Sequence, residues 1–333
     1  MDVLQDEDAI MEYSHIDSSF GGIRGRSVRD AIAKAHEAIH RGSKYFIRTD
    51  IKDFFRKIPK EKVLLKISEL IPDPLFNNLL KGATDVELKN LHKLKHFAYL
   101  FPLHEVGVAQ GCCLSPLLGN ILLNKFDRQM NGRGITCLRY IDDFIILGPK
   151  LKHVESAFSS GKELLEEHGL EVYDPHIEKD KAEIGHIEKG FEFLGCKIVP
   201  GLITPNKKSR DRLIQSIKDT LNDSMRVMSN PVKLYSAKLS LTQTLTNVDN
   251  ILAGWGNQYS FCNNLQVMKH LDLEVDKLLT NYFSYYSRVR SKFKGEDLLK
   301  NRRRLLGIHL LTASKHTPII CLNCPDPKYS HQK

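Results

Sequence analysis

Three aspartates carry the densest chemistry in this chain. Asp50 closes the β-branched and aromatic run Tyr45-Phe46-Ile47-Arg48-Thr49-Asp50-Ile51, and Asp142-Asp143 lie between the apolar runs 135–140 and 144–147. Adjacent carboxylates inside an apolar hairpin are costly unless each buried charge finds a partner. Hard divalent cations are such a partner. They take oxygen ligands, and Mg²⁺ is typically held by one or two carboxylates together with the phosphates of a substrate. Two such ions about 3.5–4 Å apart clamp the attacking and leaving oxygens of a phosphoryl transfer. An Asp-Asp pair also serves as ordinary turn chemistry, so its neighbours must decide between a metal site and a solvated turn.

The elements that would position these groups follow from spacing. Residues 45–51 read as a strand and 135–147 as a hairpin with an acidic tip. Ser27 caps a helix whose apolar positions Val28, Ala31, Ile32, Ala35 and Ile39 recur at three or four, with Gly42 as its stop. Residues 61–99 read as helical, broken at Ile71-Pro72-Asp73-Pro74, and Ser115-Pro116 opens a helix with the stripe Leu118, Ile121, Leu122 and Phe126. Residues 152–168 are helical in pattern, and Phe191-Glu192-Phe193-Leu194-Gly195-Cys196-Lys197-Ile198 predicts one strand with a close approach at Gly195. Beyond Pro205 helical spacing dominates, as in Leu213, Ile217, Leu221, Met225 and Met228, or Val275, Leu278, Leu279 and Tyr282. The pattern predicts an α+β fold, mixed over 1–205, helical over 206–295 and ending in a basic tail over 296–333.

Leu138-Arg139-Tyr140-Ile141-Asp142-Asp143-Phe144 resembles the Tyr-x-Asp-Asp box of reverse transcriptases, and Asp50-Ile51-Lys52-Asp53-Phe54-Phe55 resembles the family's first carboxylate motif. Val108-Ala109-Gln110-Gly111-Cys112-Cys113-Leu114-Ser115-Pro116 is similar to its Gln-Gly-x-x-x-Ser-Pro motif, and Gly22-Ile23-Arg24-Gly25-Arg26-Ser27 to its arginine-bearing finger motif. Lys181-Ala182-Glu183-Ile184 and Phe193-Leu194-Gly195 resemble the later palm motifs. All six stand in the family's order. Gly254-Trp255-Gly256-Asn257-Gln258-Tyr259 is similar to a thumb segment of group II intron-type enzymes, although Trp255, the only Trp, also suits a core anchor.

The resemblance implies a right-hand polymerase: fingers and palm over 1–205 and a helical thumb over 206–295. Asp50 and Asp142 would ligate two Mg²⁺ ions, with Mn²⁺ a possible substitute, while Asp143 supports them and the Ile51 carbonyl adds an oxygen. Lys181, or its neighbour Lys179, would protonate the departing pyrophosphate. Phe55 would lie under the sugar and block a 2′-hydroxyl, favouring dNTPs. Gln110 and Gly111 would meet the incoming base pair. Of Arg24 and Arg26, one would meet the triphosphate and the other the template. Tyr140, Phe193, Leu194 and Gly195 would hold the primer end. The implied activity is RNA-directed DNA synthesis on an RNA template, with a structured noncoding RNA in antiphage defence as the expected setting. A retron or intron-derived enzyme, an RNA-templated RNA polymerase and a non-catalytic RNA-binding scaffold are the alternatives.

Composition agrees. The chain has 333 residues, 41% hydrophobic and 27% charged, which excludes a disordered chain and a small disulfide scaffold. Net charge is +9, but residues 206–333 hold 21 basic and 10 acidic side chains while the remainder is nearly neutral. A basic half suits a polyanionic partner such as an A-form hybrid, read by shape. No apolar run is long enough for a transmembrane helix, and the acidic start MDVLQDEDAIMEY lacks a secretory core. A cytoplasmic protein with free thiols is expected from seven scattered cysteines. Cys321 and Cys324, with His316 and His331 nearby, leave a zinc site open as a second possibility.

Overall fold

A computed structural model describes residues 4, 7–85, 91–94, 101, 106–132, 134–295 and 297–311. The chain divides into two units: residues 1–209 with 261–265, and residues 210–260 with 266–333.

The first unit is α+β, as the patterning predicts. After helix α1 (Asp8–Ser14), helix α2 (Val28–His40) starts at a capping box. The Ser27 side chain accepts from the Asp30 amide, and the Asp30 carboxylate accepts from the Ser27 amide. The helix stops before Gly42, whose φ of +102° a side chain would resist. Strand β1 (Tyr45–Asp50) then enters the centre of a four-stranded antiparallel sheet ordered β2-β3-β1-β4, with β2 Thr136–Tyr140, β3 Asp143–Gly148 and β4 Glu183–His186. Helices α3 (Phe54–Lys57), α4 (Lys60–Leu70) and α5 (Pro74–Thr84) follow β1. The Asp73 side chain caps α5 by accepting from the Leu75 and Phe76 amides, which places the break where the prolines demand it. The sequence expectation of helix over 61–99 runs beyond the described residues, which resume in part at 91–94. Helices α6 (Ser115–Leu122), α7 (Asn124–Gln129) and α8 (Leu151–Glu166) complete this region.

Strand alternation sorts the sheet into two faces. Ile47, Thr49, Phe144, Ile146 and Cys137 turn towards a core shared with Leu118, Ile121 and Phe126 of the α6–α7 region and with Val154, Phe158 and Leu165 of α8. Phe46, Arg48 and Asp50 share the opposite face with Asp143 and Ile145. The core therefore fixes the register, and the register fixes which carboxylates meet.

A second sheet holds β5 (Phe191–Phe193), β6 (Cys196–Val199) and β7 (Leu202–Pro205). The single strand expected over 191–198 is thus two strands. Leu194 and Gly195 both take positive φ, 49° and 79°, which makes a two-residue hairpin turn. Residues 261–265 return to this sheet. Asn263 exchanges bonds with Ile203: its amide donates to the Ile203 carbonyl (3.1 Å) and its Oδ1 accepts from the Ile203 amide (2.8 Å). Asn263 also donates to the Gly201 carbonyl at 2.9 Å, and Cys262 Sγ lies 4.0 Å from Cys196 Sγ.

The second unit is helical, built from α9 (Lys207–Val227), which begins at the end of the first unit, α10 (Pro231–Ser236), α11 (Leu241–Gln258), α12 (Leu265–Arg290) and α13 (Asp297–Leu306). Its core joins Leu213, Ile217, Leu221, Leu234, Val248, Val275 and Tyr282. The Tyr282 hydroxyl is bonded to Ser224 Oγ at 2.8 Å. Trp255 packs half-buried against this core, its ring 4.7 Å from that of Tyr259. Cys321, Cys324, His316 and His331 lie outside the described residues.

Candidate active site

The acidic groups converge at one end of the four-stranded sheet. Asp50 ends β1 directly opposite Asp143 at the start of β3, and Tyr140 of β2 flanks Asp143 on its other side. Opposed residues of antiparallel strands bring their Cβ atoms to about 4.5–5.5 Å. Asp142 belongs to the two-residue turn between β2 and β3, and its carbonyl accepts from the Ile51 amide at 3.0 Å. Like charges so placed repel, and the surroundings worsen the repulsion. Burial raises the Asp50 carboxyl above its ordinary range, and the charge of Asp142 adds to this against the pull of Lys181 and Arg48. Burial likewise raises Asp142, against bonds from backbone amides. Burial pushes Asp143 to about 7, with Arg48 opposing and Asp50 and Asp142 reinforcing. Asp143 Oδ1 is buried with no hydrogen-bond partner among the described residues.

An all-oxygen donor set, excess negative charge and an unsatisfied buried acceptor fit a hard divalent cation. The carboxylates do not form a closed cage. Among the described residues, no three His, Cys, Asp or Glu side chains stand together in metal-holding geometry. A Mg²⁺ site completed by waters and substrate phosphates has that open character.

Of the other expected residues, Lys181 acts on this centre electrostatically. Lys181 lies exposed in the turn before β4, Nζ 5.8 Å from the Tyr173 ring, and its charge favours the ionised form of Asp50. Lys179 lines a separate hollow with Pro175, His176 and Glu183. Phe55 is half-buried beside Phe54, ring centroids 5.4 Å apart, and its carbonyl accepts from the Val108 amide at 2.7 Å. That bond ties the first carboxylate motif to the turn carrying Gln110 and Gly111, both exposed, with Gly111 at φ +84°. Arg24 is exposed. Arg26 is committed to its own chain: its guanidinium donates to the Ile16 and Ser19 carbonyls and lies 3.6 Å from Asp17. The Phe193 ring is buried, which leaves Leu194 and Gly195 at the tip of the β5–β6 turn.

Sequence reasoning missed several supporting groups. Arg48 shares the face of Asp50 and pairs across β4 with Glu183; its Nε is buried without a partner among the described residues. Its position two residues before Asp50 was the available signal. Gly21 packs against the carboxylate hairpin, where a Cβ would lie 2.6 Å from the Ile141 amide nitrogen. Arg139 and Asp127 form a buried ion pair behind the hairpin. Nothing in a single sequence reports these last contacts.

The family described as "Reverse transcriptase (RNA-dependent DNA polymerase)" matches residues 7–198, more than half of the chain. The chain belongs to the reverse transcriptase family. It is 24% identical over 194 residues to Protein YkfC of Escherichia coli (strain K12), covering 47% of each. It is 24% identical over 143 residues to the retron Ec83 reverse transcriptase of Escherichia coli, covering 40% of each. With an uncharacterized 91 kDa protein in the cob intron of Schizosaccharomyces pombe it shares 32% identity over 120 residues, covering 36% of this chain and 14% of that protein. A retron enzyme and an intron-associated protein among the relatives match the lineage expected from the motifs. The chain spans less than half the length of these curated relatives. Among solved structures, the apo telomerase of Candida tropicalis aligns at a TM-score of 0.43 and 14% identity, over 92% of this chain and 60% of that one. No helix among the described residues is long and apolar enough to cross a membrane.

Proposed function

We propose that this reverse transcriptase family member is an RNA-directed DNA polymerase that copies a partner noncoding RNA into cDNA in bacterial antiphage defence. The supporting observation is the meeting of Asp50 with the Asp142-Asp143 pair, remote from it in sequence, where Asp143 keeps a buried carboxylate oxygen without a partner among the described residues. In this reading Asp50 and Asp142 hold two Mg²⁺ ions, with Asp143 and the Ile51 carbonyl in support. Such ions, when bound, would supply the charge that acidifies the primer hydroxyl and neutralises the triphosphate.

The chain's own residues do the rest. Lys181, exposed yet electrostatically coupled to Asp50, delivers a proton to the departing pyrophosphate. Phe55 places its ring under the sugar and rejects a 2′-hydroxyl. Gln110 and Gly111 bear on the incoming base pair, and Gly111 lets the backbone approach closely. Of Arg24 and Arg26, one bears on the triphosphate and the other on the template strand, as planar guanidinium forks suit both. Leu194 and Gly195 hold the primer end by their turn. Residues 1–205 act as fingers and palm and 206–295 as the thumb, whose positive charge follows the hybrid's phosphates.

Primer extension on an RNA template tests the activity. Asp142→Ala with Asp143→Ala should abolish dNTP incorporation in a protein that still folds; retained incorporation refutes the assignment. Sequencing the nucleic acid that copurifies with the protein tests the setting, because template and cDNA would be read together.

A further inference from the structure

Arg139 stands between Leu138 and Tyr140 in the carboxylate motif, yet its side chain has no part in the chemistry above. It points to the opposite face of β2 from Tyr140 and is 1% exposed. Its Nε and Nη2 fork onto the buried Asp127 carboxylate at 2.8 and 2.5 Å, and Nη2 also meets Ser19 Oγ at 2.8 Å. The remaining nitrogen, Nη1, donates to the Ile141 carbonyl at 2.8 Å.

That carbonyl belongs to the peptide plane joining Ile141 to Asp142. The plane is hard to hold. Ile141 has φ +64°, in the left-handed region that β-branched residues avoid. Two contacts hold it there. Gly21 presses against the turn from outside, and its own carbonyl is anchored by Asn120 Nδ2 at 2.9 Å. Arg139 tethers the turn from inside. The next peptide plane is pinned as well, because the Asp142 carbonyl accepts from the Ile51 amide. With both flanking planes fixed, the backbone sets the direction in which Asp142 projects its Cα–Cβ bond.

We propose that Arg139 is a positioning residue for nucleotide transfer: Asp127 and Ser19 orient its guanidinium so that it locks the peptide before Asp142. This rests on the reading of Asp142 as a cation ligand. A purely structural ion pair would affect folding alone, so the test separates the two roles. Asp127→Leu with Arg139→Met removes the tether without leaving a lone buried charge, an exchange that buried ion pairs commonly tolerate. Arg139→Lys is the second variant. It keeps the charge beside Asp127 but loses the planar fork that reaches both partners.

In primer extension both variants should lose 30- to 100-fold in kcat. KM for dNTP should stay within twofold, and the Mg²⁺ concentration that half-saturates the thermal stabilisation of the protein without nucleotide should rise at least fivefold. Adding Ile141→Gly to the double variant should restore at least tenfold in kcat, since glycine adopts the left-handed turn unaided. Wild-type kcat in a folded Arg139→Lys protein overturns the proposal, as does a loss that Ile141→Gly leaves unmoved. Wild-type protein that incorporates no dNTP overturns the polymerase reading and this inference with it. An active wild type and an inactive Asp142→Ala variant, beside unaffected Arg139 variants, overturn only the inference.

Discussion

Asp143→Asn should stabilise the metal-free protein at neutral and alkaline pH while abolishing catalysis. The wild-type carboxyl is raised from an ordinary value of 3.8 to about 7 when folded. The folded state therefore binds its proton more tightly than the unfolded state does. Below about pH 4 both states are protonated and the group costs nothing. As pH rises from 4 to 7 the unfolded state ionises first, and stability falls. Each pH unit of separation corresponds to about 1.4 kcal/mol, so the penalty above pH 7 approaches a ceiling of about 4 kcal/mol. Asparagine keeps the shape and removes the charge. Arg48 then loses an attractive neighbour, which returns part of the gain; a net stabilisation of about 1–3 kcal/mol at pH 8 is expected, within the usual range for single substitutions. Urea unfolding in EDTA at pH 4, 6 and 8 measures it. The difference between variant and wild type should grow with pH and vanish near pH 4. Added Mg²⁺ should stabilise the wild type through linkage and stabilise the variant, which keeps Asp50 and Asp142, by less. A pH-independent difference, or a variant less stable at pH 8, would refute the reasoning that Asp143 is a desolvated carboxylate awaiting a cation.

Three further outcomes are expected. Gly21→Ala should push the Ile141 turn, cost about 1–3 kcal/mol by overpacking and reduce dNTP incorporation at least tenfold, measured by thermal melts and primer extension on the same samples. Phe55→Ala should raise the ratio of ribonucleotide to deoxynucleotide incorporation at least tenfold, read from competition reactions at fixed template. Lys181→Ala should lower kcat about 100-fold, in line with the loss of a general acid, with dNTP KM nearly unchanged; the same loss in Lys179→Ala and not in Lys181→Ala would transfer the role to the neighbour.

What was legible in the sequence was mostly local. Ser27 announced its helix because a cap residue stands directly before apolar positions that recur at three or four. The break before another was legible because the prolines of Ile71-Pro72-Asp73-Pro74 cannot continue a helix, while the cap supplied by Asp73 was not read. The hairpin bearing Asp142 was readable because two apolar strands flank it at close range. The β5–β6 turn was not, because Phe193-Leu194-Gly195-Cys196 continues a strand-like alternation, and Leu194 gives no sign of its positive φ. The site divides along similar lines. Resemblance to known motifs suggested that Asp50 meets Asp143, but register made it so, and register is set by Ile47 and Ile146 packing on the other face. Gly21 on Ile141 and Arg139 on Ser19 join residues about 120 apart, and such contacts leave no periodic trace.

The return of residues 261–265 to the second sheet has a consequence for biosynthesis. A ribosome that has delivered residue 209 has not delivered the whole of the first unit, because Asn263 must still emerge to pair with Ile203. Until then the outer rim of β7 remains hydrated and open to stray pairing. Nascent chains whose residue 263 has not yet left the ribosome should therefore be the aggregation-prone species, and the hazard should end once it emerges and pairs with Ile203.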